Sequence, residues 1–209
     1  MKMVVFGATG GAGQALVTAA LAAGNEVTAV ARKPSTITTR HERLRVVAGD
    51  VADAASVAEA TRGQEGVVLT VGPRPGTPPG TLISDATRAV LAGMKQHGAQ
   101  RLVLVSGLMV GEARGMGLVG RLAVAFFRRL NHALYRDKLL AEQLVLASDC
   151  AWSIVRPPLF GEAAVRGTFR LGVDLDVKSG KMANADVAAA VLAALTDATY
   201  THKSLELSY

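Results

Sequence analysis

The sequence of 209 residues predicts an α/β fold, a doubly wound parallel sheet in a single domain with a small C-terminal lobe. Three observations predict it. An apolar run, a glycine-rich turn and an Ala-rich helical pattern follow one another without a break over residues 1–17. Strand-like and helix-like patterns then alternate along most of the chain, the signature of parallel βαβ units wound on both faces of one sheet. The first apolar run, Met3-Val4-Val5-Phe6, lacks polar alternation, as in a strand buried on both faces.

The glycine-rich turn is Gly7-Ala8-Thr9-Gly10-Gly11-Ala12-Gly13. Gly7 allows a sharp turn, Gly10 allows close approach of a ligand to the backbone, and Gly13 allows the helix to pack tightly on the strand. A helix opening at Gly11 and Ala12 begins with unpaired N–H groups and partial positive charge, aimed where a pyrophosphate would lie, and Thr9 adds a hydroxyl. The spacing is G-x-x-G-x-x-G, not the G-x-G-x-x-G of the commonest dinucleotide turn. A purely structural turn is the alternative.

Composition sets limits. The formal charge of +6 admits an acidic ligand, nucleic acid or an anionic surface, and demands none of them. Aromatic residues are 4% of the chain and form no stacking pattern with the basic ones, which disfavours nucleic acid. Residues 3–25 carry no charge, but the glycines divide that stretch into pieces too short for a transmembrane helix or a signal peptide. Cys150 is the single cysteine, so no internal disulfide and no thiolate metal cage are expected. No metal site is expected, and cytoplasmic residence is the default expectation.

Further elements follow in order. Residues 26–31 read as a second strand ending at Arg32-Lys33-Pro34. In a dinucleotide fold this point faces the adenosine ribose: an acid there would bind a free 2′-hydroxyl, whereas cations accommodate a 2′-phosphate. Arg32 and Lys33 therefore favour NADPH over NADH. Residues 44–48 read as a third strand, followed by Gly49-Asp50-Val51. Asp50 is placed to bind an adenine amino group or to form a turn, with Val51 covering the ring. Asp53 caps a helix to about residue 61. Residues 66–71 form a fourth strand that ends at Val71-Gly72 and enters a loop rich in Pro and Gly containing Arg74. A long amphipathic helix over 81–97 and a fifth strand ending at Ser106 complete this part.

Residues 114–136 change character. Arg121, Arg128, His132 and Arg136 share one helical stripe, and Leu118, Leu122, Phe126, Leu130 and Leu134 form an apolar face. A basic amphipathic helix can lie on an anionic membrane or close over a ligand, but the preferred expectation is a surface helix whose arginine face is solvated. A helix through Lys138 and Glu142 follows. A sixth strand, 152–155, ends at Arg156-Pro157-Pro158. The irregular stretch 159–180 contains strand-like pieces at 168–171 and 173–177. Asp186 caps a helix over 187–195, and 203–207 is a last strand.

Together, Phe6-Gly7-Ala8-Thr9-Gly10, Gly49-Asp50-Val51, the Gly72-x-Arg74 loop, Met94-Lys95-x-His97-Gly98, Pro157-Pro158 and the Asp186 helix resemble the atypical short-chain dehydrogenase/reductases of Rossmann type. Within that group the sequence is similar to the biliverdin-IXβ reductase (flavin reductase) proteins and to NmrA-like nucleotide sensors. The resemblance implies an NADP(H) cofactor and hydride transfer to a small acceptor such as a flavin, a quinone or another carbonyl-like molecule. The alternative is an NADP-sensing regulator without turnover. Classical short-chain dehydrogenases place a serine after the fifth strand and Tyr-x-x-x-Lys on the next helix. Ser106 fits the serine. Tyr135-Arg136-Asp137-Lys138 is one residue short, which turns Tyr135 about 100° from its usual place. The flavin reductase group carries two adjacent hydroxyl residues where this chain has Ser106-Gly107. It also has histidines where this chain has Lys138 and Leu159. Ser106, Lys138 and Tyr135 are thus the catalytic candidates. Gly7, Thr9, Gly10, Gly11, Ala12, Arg32, Lys33, Asp50, Val51, Val71, Gly72, Arg74, Ser106, Lys138, Pro157 and Pro158 are the cofactor candidates. Segments 107–135 and 159–182 are expected on the substrate side.

Overall fold

The computed structural model describes residues 1–73, 80–111, 117–177 and 180–209. Seven strands run parallel: β1 (Lys2–Phe6), β2 (Glu26–Ala31), β3 (Leu44–Ala48), β4 (Gly66–Leu69), β5 (Arg101–Val105), β6 (Ala151–Arg156) and β10 (Lys203–Ser208). β8 (Arg170–Gly172) pairs antiparallel with β10, and these eight form one sheet in the order β3-β2-β1-β4-β5-β6-β10-β8. β7 (Phe160–Gly161) and β9 (Met182–Ala183) form a separate parallel pair.

Alternation along the strands builds two cores. Met3 and Val5 face one side with Val27, Ala29, Val68 and Val103, and are covered by α1 (Gly11–Ala22) and α6 (Asn184–Thr196). Val4 and Phe6 face the other side with Val67, Leu69, Leu102 and Ile154, beneath α2 (Ala54–Thr61), α3 (Leu82–His97) and α5 (His132–Leu146). A strand buried on both faces has no polar side to show, which is why β1 from Met3 onward and β4 are continuously apolar. The winding direction reverses between β1 and β4, the place where such sheets open a crevice beyond the strand ends. Among the described residues no helix is long and apolar enough to cross a membrane.

Several expectations need correction. The fourth strand ends at Leu69, because Gly7 packs against the Thr70 carbonyl and Val71 where further pairing would run. Val173 to Val177 is not a strand: Asp174 has φ of 52°, a left-handed turn that breaks extended pairing. Asp186 does not cap its helix. α6 starts at Asn184, and the Asp186 carboxylate instead accepts from Arg166 N, Gly167 N and the Tyr209 hydroxyl.

The largest departure concerns the basic segment. It forms two helices, α4 (Leu118–Leu130) and α5, divided at Asn131. Arg128 points inward, donating to the carbonyls of Met109 and Gly111, and its guanidinium lies 5.3 Å from the Tyr135 ring centroid. The apolar face of α4 is turned out, and none of its residues is buried. Helical periodicity identifies the two faces; which one lies inward depends on the carbonyls that accept from Arg128.

Candidate functional site

The glycine turn lies at the reversal point between β1 and β4. Gly7 has φ of +89°, and a Cβ there would lie 2.4 Å from the Thr70 carbonyl oxygen. A Cβ on Gly13 would lie 2.1 Å from the Gly7 carbonyl oxygen, so α1 sits directly on the turn. Gly10 differs: it is exposed, has φ of −77°, and a Cβ there would meet nothing closer than the Gly7 oxygen at 3.5 Å. Nothing within the described fold requires glycine at position 10. Glycine at that position leaves the backbone open to close approach by a ligand, and a diphosphate would fit there. No side chain caps α1, and its first turn holds no acid, so its N–H groups and positive end face the same space. Thr9 and Gln14 complete the turn, with the Gln14 amide donating to the Thr9 carbonyl at 3.0 Å.

Asn184 did not stand out in the sequence. A Cβ on Gly11 would lie 2.4 Å from its side-chain nitrogen, so Gly11 makes room for the first residue of α6. The buried Ala12 belongs to the core beneath.

At the other edge, Arg32 and Lys33 are exposed immediately after β2, where Lys33 precedes a 3-10 turn at Pro34–Thr36. A cavity of about 360 Å³ lined by Ile37, Arg40, His41 and Leu44 adjoins this turn. Asp50 forms the local turn, its Oδ1 accepting from Ala52 N at 3.0 Å, and Val51 beside it is half-buried. Val71 is half-buried and Gly72 exposed; Arg74 lies outside the described residues.

The end of β5 brings Ser106 and Lys138 together. Lys138 Nζ donates to the Ser106 carbonyl oxygen at 2.6 Å. Burial lowers the Lys138 pKa to about 8, while the charges of Glu142 and Asp137 oppose the drop. Ser106 is 2% exposed and its hydroxyl has no hydrogen-bond partner among the described residues. An unpartnered buried hydroxyl is costly, and a bound ligand would relieve it. A Cβ on Gly107 would lie 3.1 Å from Lys138 Nζ, so glycine at that position leaves space for the amine. The buried Pro157 accepts from Leu108 N at 2.9 Å and ties the end of β6 to this loop, with Pro158 half-buried beside it. The Tyr135 ring lies beneath the Arg128 guanidinium.

Two buried carboxylates hold this end in place, and neither stood out in the sequence. Asp137 accepts from Ile83 N and Ser84 N at 2.9 Å each, capping α3 from a distant helix. Glu142 is paired through both oxygens with Arg156, at 3.1 and 2.5 Å. Only their folded neighbours distinguish them from ordinary helix-surface acids. Asp186 anchors the backbone at Arg166 and Gly167. Burial would raise its pKa, but the N–H groups of Arg166 and Gly167 and the Tyr209 hydroxyl outweigh that and hold it below the usual carboxylate value. Tyr209 also accepts from Ala183 N at 3.1 Å, and the Arg166 guanidinium stacks 4.1 Å from its ring centroid.

The comparisons agree with this fold. Residues 7–198 match the NAD(P)H-binding family. Among solved structures, the chain is similar to ChuY, an anaerobilin reductase from Escherichia coli O157:H7, at 24% identity and a TM-score of 0.79, covering 100% of this chain and 97% of that one. It is also similar to a wide-type short-chain dehydrogenase/reductase from Veillonella parvula solved in complex with NADP, at 16% identity and a TM-score of 0.79, covering 100% and 94%. The oxidoreductase ylbE from Lactococcus lactis superposes with a TM-score of 0.82 at 16% identity, covering 100% and 90%. These likenesses show the Rossmann-type fold. The match over residues 7–198 goes further: the chain belongs to the NAD(P)H-binding family.

Proposed function

We propose that the protein is an NADPH-dependent reductase acting on a small acceptor of the flavin or quinone class. One observation carries the reading: Arg32 and Lys33 are exposed directly after β2, with no acid at the position that would bind a ribose 2′-hydroxyl. In this reading Gly7, Thr9, Gly10, Gly11 and Ala12 hold the pyrophosphate, and Arg32 and Lys33 the 2′-phosphate. Asp50 and Val51 face the adenine, with Val71 and Gly72 beside the cofactor and Arg74 on the same loop. Ser106 and Lys138 position the nicotinamide end, and Pro157 and Pro158 shape its wall. The bound dinucleotide supplies a hydride. Positioning is then the main task left to the protein, because reduction of a flavin or quinone needs little side-chain chemistry. An amine held near pKa 8 also keeps a proton to give at neutral pH. Segments 107–135 and 159–182 form the acceptor side, where Leu159 and Phe160 are exposed apolar residues.

The position of Tyr135 favours a second reading. Its ring is engaged by Arg128, and it stands one residue closer to Lys138 than the usual tyrosine–lysine spacing, which suits an NADP sensor of NmrA type without turnover.

Calorimetry with NADPH and NADH tests the cofactor assignment: NADPH is expected to bind at least tenfold tighter, and Arg32→Ala with Lys33→Ala to remove the difference. Equal affinities in the unaltered protein defeat it. Mixing protein and NADPH with FMN, FAD and a quinone panel separates the two readings. Steady loss of nicotinamide absorbance supports the reductase, and tight binding without turnover across the panel supports the sensor.

A further inference from the structure

Among the described α-helices, α4 alone buries no residue. Leu118, Val119, Leu122, Phe126 and Leu130 are 73%, 81%, 61%, 64% and 66% exposed. At about 100° per residue they fall within one arc of about 120°. This is a continuous apolar stripe along a helix of 13 residues, about 20 Å long. Its outward direction is fixed by contacts on the opposite side. Arg128 holds the Met109 and Gly111 carbonyls and stacks on Tyr135, so the helix cannot turn its leucines inward without losing all three.

The charges around the stripe identify what covers it. No Asp or Glu occurs from residue 113 to residue 136, whereas Arg121, Arg129 and Arg136 are exposed along the stripe and its continuation into α5. Of the acids that bound this stretch in the sequence, Glu112 lies outside the described residues, and Asp137 is buried and committed to the N–H groups of Ile83 and Ser84. A second copy of the chain would bring arginines against arginines. An anionic lipid surface instead offers a hydrocarbon boundary for the leucines and Phe126 and negative headgroups for the arginines.

We infer that α4 is an interfacial helix that docks the protein on anionic bilayers with Leu118, Leu122, Phe126 and Leu130 in the headgroup–acyl boundary. Because α4 is fastened to the backbone at 109–111, just beyond the Ser106 end of β5, docking would hold that end of the sheet near the bilayer. A lipid-soluble acceptor would then reach the site from the bilayer. That consequence rests on the reductase reading; the docking does not, and its test uses no cofactor.

The experiment is vesicle flotation with phosphatidylcholine alone and with phosphatidylcholine containing phosphatidylglycerol. Binding to the anionic vesicles is expected, at least tenfold weaker on the neutral ones and reduced by high salt. Leu122→Glu with Phe126→Glu, and separately Arg121→Glu with Arg129→Glu, should each lower binding at least tenfold with melting temperatures near the unaltered value, because all four side chains are exposed. A Phe126→Trp protein gives an independent signal against the largely buried Trp152: its emission should shift to the blue on anionic vesicles alone. No binding, equal binding to both vesicle types, or binding unchanged by the Leu122 and Phe126 substitutions overturns the inference. So does a concentration-dependent dimer abolished by those substitutions, which would assign the stripe to a second copy.

Discussion

Lys138 Nζ donates to the Ser106 carbonyl oxygen at 2.6 Å, fastening α5 to the end of β5 by a cation with a pKa of about 8. Burial is the cause, and the sign of its effect on stability follows. The folded value lies below the ordinary 10.5, so between about 8 and 10.5 the folded chain holds fewer protons than the unfolded one. Stability from this group therefore rises with pH through that window, and the cost of burying the cation is fully present below it. Lys138→Met removes the titration. The stability difference between unaltered and variant protein should move by roughly 3 kcal/mol in favour of the unaltered protein from about pH 8 to 10.5. Urea unfolding along a pH series measures it; parallel curves would show that the amine is not depressed.

Gly10 and Gly13 should separate ligand approach from fold. Gly13→Ala puts a Cβ 2.1 Å from the Gly7 oxygen, a backbone atom that cannot swing aside, and is expected to cost about 3 kcal/mol or more. Gly10→Ala meets only a 3.5 Å contact and should cost about 1 kcal/mol or less, as an N-cap exchange. It should nevertheless weaken NADPH binding at least tenfold. Thermal melts paired with calorimetry read both quantities, and NADPH binding unchanged in Gly10→Ala would remove the cofactor from that turn.

The sheet and the glycine turn were legible because their signals are local. The β1 run, the bounds of β2 and β3, and the Asp53 cap follow from residues within a few positions of one another. The far end of the site was legible only in part. Ser106 and Lys138 stood out by comparison with a known spacing, but their meeting depends on how α5 packs beside α3 and β6. The absence of a second hydroxyl residue at Gly107 gains its spatial reason only from the fold, which sets Lys138 Nζ 3.1 Å from where a Cβ would stand. Asp137, Glu142 and Asp186 resisted reading for the same cause: each serves backbone or side-chain donors at least 14 positions away, which no periodicity encodes.

Asp186 should control the 160–183 stretch specifically. An asparagine there keeps one acceptor oxygen but turns an amide toward donors, so a loss of about 1–3 kcal/mol is expected at neutral pH. Because the folded pKa of Asp186 is depressed, its contribution is present above the ordinary value of 3.8 and is lost as pH falls through the folded value. The gap between unaltered and Asp186→Asn protein should therefore close in acid. Hydrogen exchange is the sharper check: the Arg166 and Gly167 amides should lose protection while β1 and β4 keep theirs. Unchanged exchange at those two amides would mean that the stretch is held elsewhere.

Glu142 tests the support beneath Lys138. Its side chain is 2% exposed and faces an Arg156 side chain that is 15% exposed, so the pair is desolvated and bonded through both oxygens. Glu142→Gln removes the negative charge while leaving the guanidinium in place, and should destabilise by about 3–5 kcal/mol. The same substitution also deletes the larger of the two charges that raise the Lys138 pKa, so the lysine should titrate lower still. Replacing both partners with methionine removes the pair without exposing either charge, and should cost less than Glu142→Gln alone. Urea unfolding of the single and double variants, with the pH series repeated on Glu142→Gln, reads both effects. If the single variant unfolds like the unaltered protein and the Lys138 window stays where it was, Glu142 neither braces β6 nor tunes the amine, and the polar end of the crevice is held by Asp137 alone.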